Sequence, residues 1–387
     1  MRGSVVKRGK SYSVVYRAPD PATGKSKQVW KGGYPTKREA ETALKEIVRT
    51  VDDGTYTAPT KITVGEFLTG QWLPAIAATV RPSTLSMYTR YVEVHIVPGL
   101  GGTPLRALAA PQLNAFYADR LASGRRDGKG GLSTRSVRIL HVIVHRALRD
   151  AVRWGMVARN VADLADPPQD RPPEKAVWTP EQVSQFLEHV STDRYAGLWR
   201  LAAATGMRRG ELLGLRWSDV DLDASKLRIG QAVAVVNYKL SFTEPKTSAG
   251  RRTVSLDPVT VAALRSQRAR QSADRLAWGP AWVDSGLCFT QENGAPLHPE
   301  RVTRMFDQRV KAAGLPRITL HGLRHSHVTM LGRAGVPLRT ISQRVGHSSA
   351  AVTLAIYSHV LPGDDEAAAL AGAALLEGTR ASAEGLR

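Results

Sequence analysis

Cysteine is almost absent from this chain, since Cys288 is the only one among 387 residues. A single thiol excludes a disulfide bond within the chain, and it leaves no cysteine pair to ligate zinc. A chain with so little cysteine is typical of a reducing compartment, so we expect a cytoplasmic protein.

Long apolar runs are missing as well. No stretch approaches the 18 apolar residues of a membrane-spanning helix. The opening segment MRGSVVKRGK has charges but no apolar core behind them. We therefore expect neither a signal peptide nor a membrane partner.

Acidic residues are few relative to basic ones. The chain has 54 lysines and arginines against 34 aspartates and glutamates, which gives a net charge of +20. Every third of the chain is basic, so the charge is not confined to one tail. A polyanion that touches the whole molecule explains this distribution best, and nucleic acid is the first candidate. An anionic membrane surface is the competing partner, but no basic amphipathic helix stands alone to bind it.

The first 58 residues indicate a small sheet with one helix. Residues 11–17 and 27–31 are rich in β-branched and aromatic side chains, and the turn sequence PDPATGK separates them. A helix is then predicted from the cap Thr36, with Glu39 three residues later, to a stop at Gly54.

Residues 62–165 show helical periodicity throughout. In the last helix of this segment the apolar positions Val137, Leu140, Val144 and Leu148 recur at helical spacing. The basic residues fall largely elsewhere, and we expect DNA-backbone contacts from four of them: Arg135, Arg138, Arg146 and Arg149. A merely solvated face is the alternative interpretation.

A linker and a third region follow. Residues 166–176 are rich in proline and charge, which is typical of an interdomain linker. A helix is predicted to restart at the cap Thr179, with Pro180 at its first position. Strand-like segments lie at about 226–256, and helical patterns continue from there to the end.

Side chains that could take part in catalysis are concentrated in this third region. In TGMRRGEL, Gly206 breaks one helix and Arg208 opens the next, with Glu211 three residues later on the same face. The segment EPKTSAGRRTVSL is expected to form a β-turn that presents Lys246. In HGLRH, the spacing places His321 and Arg324 on one helical face. The last segment, VGHSSAAVTLAIYSHV, has His347 before a serine-capped helix and Tyr357 ten residues further on.

This set of motifs, in this order, resembles the tyrosine recombinases, the phage-integrase family. The family signature is met by the five segments TGMRRGEL, PKT, HGLRH, GHSS and AIYSHV, within residues 175–362. The resemblance implies that Tyr357 attacks a DNA phosphodiester, that Arg208 and Arg324 clamp the phosphate, and that Lys246 protonates the leaving 5′-oxygen. It also implies that His347 binds the phosphate, that His321 acts as base or orienting group, and that Glu211 orients Arg208.

The chemistry is compatible with these residue types. Guanidinium groups hold the charge that develops on non-bridging oxygens, and a tyrosine with an ordinary pKa near 10 needs nearby cations to lose its proton. No cofactor or metal is implied, because the phosphotyrosyl bond conserves the energy needed for rejoining. Two positions depart from the family pattern: Gly322 stands where many members have Asp, and Leu354 where Thr is frequent.

Other interpretations of the same residues were weighed. His321 and His325 have the spacing of a zinc-protease helix, but Gly322 replaces the glutamate that such a site needs. His325 and His327 are expected to pack rather than to catalyse. The segment DVDLD, residues 219–223, fails as an EF-hand loop and is predicted to be a solvated turn. Lys246 competes with two neighbouring cations, Arg251 and Arg252.

The fold class that we predict is multidomain and mainly α, with small β-sheets. Residues 1–58 would form an arm-site DNA-binding domain of three-stranded type, and residues 62–165 a helical, SAM-like core-binding domain. Residues 166–176 would be the linker, and residues 177–387 an α+β catalytic domain.

The predicted function is site-specific recombination for a mobile element such as a temperate phage or an integrative plasmid. The expected partners are double-stranded core and arm attachment sites, three further copies of this chain in a tetramer on DNA, a DNA-bending accessory protein and an excision factor. Two alternatives have the same fold or chemistry: a catalytically silent DNA-binding regulator and a type IB topoisomerase.

Overall fold

The computed structural model describes residues 3–19, 26–52, 61–170, 176–236, 239–244 and 250–347, with a few separate positions between 349 and 373. Two compact units divide the chain, residues 1–172 and residues 173–387. Gly54, Lys246 and Tyr357 lie outside the described residues.

Three antiparallel strands open the first unit, in the order β1 (Gly3–Arg8), β2 (Ser11–Pro19) and β3 (Ser26–Tyr34). The two strands expected from the sequence are confirmed, and β1 is the third strand that the family resemblance implied. Helix α1 (Lys37–Asp52) packs on the sheet, where its Ala40 and Leu44 meet Val14 and Tyr16 of β2. The predicted cap is present, because the Thr36 Oγ1 accepts a hydrogen bond from the Glu39 backbone N–H at 3.2 Å.

The remainder of the first unit is helical, as its periodicity predicted. One continuous helical segment contains α2 (Val64–Glu66), the π-helical turn Phe67–Trp72 and α3 (Leu73–Ile76). A second contains α4 (Pro82–Tyr91), the π-helical turn Val92–Ile96 and α5 (Val97–Leu100). Then come the 3₁₀ turn Leu105–Ala107, α6 (Ala110–Ser123), α7 (Thr134–Arg153) and the 3₁₀ turn Val161–Leu164.

An aromatic pair anchors this helical core. Trp72 is fully buried and stacks on Tyr88, with ring centroids 5.8 Å apart. Its indole N–H needs a partner once it leaves water, and the Asp150 carboxylate accepts it at 2.9 Å. This hydrogen bond fixes α7 against the first helical segment of the core.

The second unit begins with three helices. They are α8 (Pro180–His189), α9 (Ala196–Thr205) and α10 (Arg209–Gly214). The predicted start of α8 is confirmed, since the Thr179 side chain accepts from the Gln182 backbone N–H and Pro180 occupies the first helical position.

Two small antiparallel sheets follow. One contains β4 (Val220–Asp221), β5 (Lys226–Ile229) and β8 (Arg252–Ser255), and the other is the hairpin of β6 (Ala232–Val236) and β7 (Lys239–Thr243). The segment DVDLD, expected to be a turn, contains strand β4 itself, and the turn to β5 begins only after Asp221. There the Asp221 carboxylate accepts from the backbone N–H groups of Asp223 and Ala224.

Four helices follow within residues 250–347, as the helical patterns predicted: α11 (Pro258–Trp278), α12 (Pro299–Ala312), α13 (Leu320–Arg333) and α14 (Leu338–Val345). Between α11 and α12 lies a long stretch without α-helix. There the chain is irregular and forms two isolated bridges, Arg216 with Leu287 and Thr290 with Pro296. Buried Cys288 and Phe289 tie this irregular segment into the main core.

The second unit has a main core and a smaller one. The main core surrounds an aromatic cluster of Trp178, Phe186, Trp199 and Phe306. A separate cluster of Val328, Ile341 and Val345 holds α14 against α13. Helix α14, which leads into the site described next, thus has few apolar contacts of its own.

Candidate active site

The site begins at a left-handed glycine. Helix α9 ends at Gly206, whose φ of 61° suits glycine far better than other residues. There is also no room for a side chain, because a Cβ at this position would lie 2.8 Å from the ring of His327. The turn then places Arg208 at the start of α10, as the sequence predicted.

Arg208 is fixed on one side and open on the other. Its Nη1 donates to the Glu211 Oε1 at 2.8 Å, and its Nη2 donates to the Gly346 carbonyl at 2.6 Å. The Arg208 backbone N–H also donates to the Glu211 Oε2 at 2.9 Å. The predicted pairing of Arg208 with Glu211 is therefore present. The Arg208 side chain is 41% exposed, so the rest of its guanidinium faces solvent.

Arg324 lies deep beside it. The residue is 2% exposed on α13, and its Nη1 donates to the Gly206 carbonyl at 2.6 Å. Its Nε and Nη2 are buried and have no hydrogen-bond partner in the described part of the chain. Burial, followed by the charge of Arg208, lowers the pKa of Arg324 to about 9. The guanidinium is still a cation at pH 7, and it has two donors ready for an anion.

The three histidines of α13 differ in burial: His321 is exposed, while His325 and His327 are buried. Thr319 caps the helix by accepting from the Gly322 backbone N–H at 2.9 Å. His321 lies on the exposed side of the first turn, and its ring meets the buried His325 edge-on at 4.6 Å between centroids. His327 is buried too, and burial, followed by the charge of Arg344, lowers its pKa to about 3. His325 and His327 are thus packing residues, as the sequence interpretation held.

His347 reaches the same place from α14. The helix ends at Gly346 with φ of 70°, and the His347 Nδ1 lies 2.8 Å from the Thr353 Oγ1. Burial lowers the pKa of His347 to about 4, helped by the charges of Arg324, Arg208 and His321. These electrostatic interactions show that the structure brings His347 together with both arginines and His321. At neutral pH His347 is uncharged and keeps one ring N–H to donate.

One residue of the network around Glu211 was noticed in the sequence only as a neighbour of Lys246. Arg252 at the start of β8 donates its Nη2 to the Glu211 Oε2 at 3.0 Å, and the Arg252 side chain is 7% exposed. Arg251, by contrast, is exposed and pairs with Glu244. The sequence marked both as cations near the turn. It could not show which of the two turns inward, because the partner lies 41 residues away in α10.

The four arginines predicted to contact DNA belong to the first unit. All lie on one side of α7, opposite its buried apolar stripe, and Arg135, Arg138 and Arg149 are exposed. Arg146 is half-buried over the ring of Tyr88, with its guanidinium 5.7 Å from the ring centroid. Three of the four are therefore exposed, although Arg138 also donates to the Pro168 carbonyl, and the fourth is partly used in packing.

Metal binding and membrane insertion are two further properties that the described residues bear on. Among the described residues, no group of three or more histidine, cysteine or acidic side chains is arranged to hold a metal ion. In the same ranges, no helix combines the length and the apolar character that crossing a bilayer requires.

Comparison with known proteins decides the family. A model described as the phage integrase family matches residues 176–363, and a model described as an arm DNA-binding domain matches residues 4–51. An integrase of Streptomyces ambofaciens is 35% identical over 85% of this chain and 84% of its own length. The chain belongs to the phage-integrase family of tyrosine recombinases.

Solved tyrosine recombinases have the same fold. The Tn1549 transposon integrase in complex with a circular intermediate DNA matches with a TM-score of 0.65 and 21% identity, over 80% of this chain and 98% of that one. A lambda integrase tetramer bound to a Holliday junction matches with a TM-score of 0.57 and 18% identity, over 89% and 95% of the two chains. This recombinase is thus multidomain and mainly helical with small antiparallel sheets, as predicted, and it acts on DNA as a site-specific recombinase.

Proposed function

We propose that this recombinase cleaves one DNA strand by attack of the Tyr357 oxygen on a phosphodiester. The new O–P bond forms a 3′-phosphotyrosyl linkage while the bond to the 5′-oxygen breaks, and Lys246 supplies the proton that the leaving oxygen takes up. Rejoining reverses these steps with a 5′-hydroxyl as the attacking group. Because the covalent intermediate conserves the bond energy, the cycle requires no ATP.

Arg208 and Arg324 hold the scissile phosphate in this proposal. Charge develops on the two non-bridging oxygens as tyrosine attacks, and guanidinium donors stabilise it where water is excluded. Neutral His347 adds a hydrogen bond to the same phosphate. His321, exposed at the mouth of the site, serves as base or orienting group for the tyrosine, and Glu211 orients Arg208.

The buried, unpartnered donors of Arg324 carry this assignment. A cation that is 2% exposed and has two N–H donors without a partner among the described residues is costly to bury, and the lowered pKa of Arg324 reports that cost. A phosphate oxygen would satisfy the donors and neutralise the charge. A site that is unfavourable when empty and complete when an anion is bound supports phosphate binding better than a structural role does.

The remaining parts divide the DNA contacts in our proposal. Residues 1–58 bind arm sites, and residues 62–165 bind the core site through the exposed arginines of α7. Residues 166–176 link them to the catalytic domain at 177–387. The element served is mobile, as for the transposon integrase that the fold matches.

The proposal also includes an oligomeric state and a cellular compartment. The lambda integrase relative forms a tetramer on a Holliday junction, and we propose that four copies of this chain likewise pair two sites in the bacterial cytoplasm. A DNA-bending protein and an excision factor are the accessory partners that we expect.

Covalent trapping tests the chemistry. A pool of nicked, end-labelled duplexes with randomised cores would be incubated in EDTA with the wild type, with Tyr357→Phe, and with Tyr91→Phe as a matched control in the helical core. We expect a protein–DNA adduct from the wild type and the control, and none from Tyr357→Phe.

The other results are equally informative. Tight DNA binding without an adduct from any of the three proteins would favour the regulator, and an adduct from Tyr357→Phe would mean that another residue is the nucleophile. If the adduct forms on single duplexes and supercoils are relaxed without pairing of sites, the topoisomerase interpretation holds.

A further inference from the structure

We propose that Arg252 is a positioning residue of the recombination reaction, which keeps Arg208 available for the phosphate by neutralising Glu211. This inference rests on the proposed function above. It concerns a buried ion-pair network that extends from β8 through α10 to the end of α14.

Four of the five guanidinium N–H donors of Arg252 are engaged within the protein. Its Nη1 and Nη2 donate to the two Glu211 oxygens at 3.3 and 3.0 Å, its Nη1 also donates to the Gly250 carbonyl at 3.2 Å, and its Nε donates to the Arg344 carbonyl at 2.6 Å. All three nitrogens are thus engaged, and the side chain is almost fully buried. It therefore acts through its neighbours rather than on DNA.

Glu211 is shared between two arginines, and Arg252 is the more deeply buried of the two. Burial alone would raise the pKa of Glu211, but the charge and hydrogen bonds of Arg252, together with the hydrogen bonds of Arg208, outweigh it and lower the pKa. The carboxylate is 3% exposed, while the Arg208 side chain is 41% exposed. Arg252 and Glu211 thus form the buried pair, and Arg208 is attached to it from the open side.

The way in which Glu211 is shared by the two arginines determines how much positive charge is available to bind the phosphate. With Arg252 present, Arg208, Arg252 and Glu211 together have a net charge of +1, and most of it lies on the exposed guanidinium. Without Arg252, Arg208 becomes the sole counter-ion of a buried carboxylate, and such a pair is held strongly. The charge of Arg208 would then be compensated by Glu211 alone, so its guanidinium would attract the phosphate less strongly.

The same side chain also fixes the segment that leads to His347. Arg252 bonds the Arg344 carbonyl, and Arg208 bonds the Gly346 carbonyl, so both arginines hold the C-terminal end of α14. The apolar contacts of α14 are those of the small cluster around Ile341. These polar contacts add to the apolar contacts of Val345, which is fully buried at the same end of the helix, and together they place His347.

Arg252→Met tests the inference, with Arg251→Gln as the matched control on the adjacent, exposed arginine. We measure single-turnover adduct formation, DNA affinity and thermal melting for each. Arg252→Met is expected to slow cleavage about 10- to 100-fold, since misplacing a catalytic group by about 1 Å has effects of that size. DNA affinity should change little, and Arg251→Gln should cleave and melt like the wild type, whereas Arg252→Met should melt earlier because removing one partner of a buried ion pair is destabilising.

A second-site substitution separates positioning from a general structural defect. In the Glu211→Gln and Arg252→Met double variant the carboxylate charge that captures Arg208 is gone. We expect cleavage to recover several-fold relative to Arg252→Met alone. The lost contacts of Arg252 with the Gly250 and Arg344 carbonyls are not restored in this double variant, so a purely structural defect would leave cleavage slow. If Arg252→Met does not fold, Arg252→Lys decides in its place, because lysine keeps the charge but cannot bridge both Glu211 oxygens and the Arg344 carbonyl.

The outcomes are distinct. A wild-type rate in Arg252→Met or, where that variant does not fold, in Arg252→Lys overturns the inference, as does a double variant no faster than Arg252→Met. If the wild type itself gives no Tyr357-dependent adduct, the proposed function fails and the inference fails with it. A wild-type adduct with unchanged Arg252 variants leaves the proposed function standing and removes only the positioning role.

Discussion

Gly206 shows how one residue without a side chain supports two catalytic candidates. Its left-handed φ turns the chain into α10, which begins at Arg208, and its carbonyl receives the Nη1 of Arg324. The ring of His327 occupies the space where a Cβ would lie. The sequence predicted the helix break at Gly206, but the carbonyl contact with Arg324 joins segments 118 residues apart and had no local signal.

Gly206→Ala is therefore expected to damage both stability and cleavage. The backbone strain costs roughly 1–3 kcal/mol, and the contact with His327 must also be relieved by moving the turn. Gly335→Ala is the matched control, since Gly335 has φ of 74° but nothing within 4 Å of its Cβ position. We expect both variants to melt earlier in thermal denaturation, and only Gly206→Ala to lose adduct formation.

Equal cleavage rates for the two glycine variants would contradict this account. They would mean that the position of the Gly206 carbonyl does not matter to Arg324. A loss of cleavage in Gly335→Ala as well would point instead to general weakening of the unit.

Helix α7 was the element that its sequence predicted best. Its apolar positions Val137, Leu140, Val144 and Leu148 are all 3% exposed or less, because a long amphipathic period leaves little choice of buried face. Strand β1 was not assigned from its own residues, since six residues with two basic side chains give a weak period-two signal. The ion pair of Arg252 with Glu211 was missed because it depends on the packing of β8 beside α10.

Substitution of the exposed arginines of α7 tests whether this helix binds DNA. Changing Arg135, Arg138 and Arg149 together to Gln should weaken DNA binding uniformly across sequences. The slope of log affinity against log salt should become shallower by up to about 0.9 for each phosphate contact removed. Fluorescence anisotropy titrations at several salt concentrations measure this slope.

The corresponding triple lysine variant is the control. It retains the charges, so we expect it to keep the salt slope of the wild type. An unchanged slope in the glutamine variant would show that these arginines form a merely solvated face.

At the scale of the whole molecule, buried histidines connect stability to pH. The pKa of His327 in the folded protein is about 3, below the ordinary 6.5 of an exposed histidine. Below pH 6.5 the unfolded chain therefore binds a proton at His327 that the folded chain does not bind, and the free energy of unfolding falls as the pH drops. The positive charges of Arg344 and Arg324 contribute to this low pKa.

His327→Gln removes this linkage. At pH 7.5 the variant should melt below the wild type, because a well-packed ring in contact with Gly206 is lost. At pH 5 the difference in melting temperature should shrink, since only the wild type is destabilised by acid at this position. A difference that stays constant between the two pH values would show that His327 titrates normally in the folded protein.

The apolar cores described above have a consequence for the descent of this recombinase. The clusters around Val14, around Trp72 and around Trp178 share no residue. A substitution that repacks one cluster leaves the apolar contacts of the other two intact. Each of these three apolar cores can therefore change by descent without disturbing the apolar contacts of the other two.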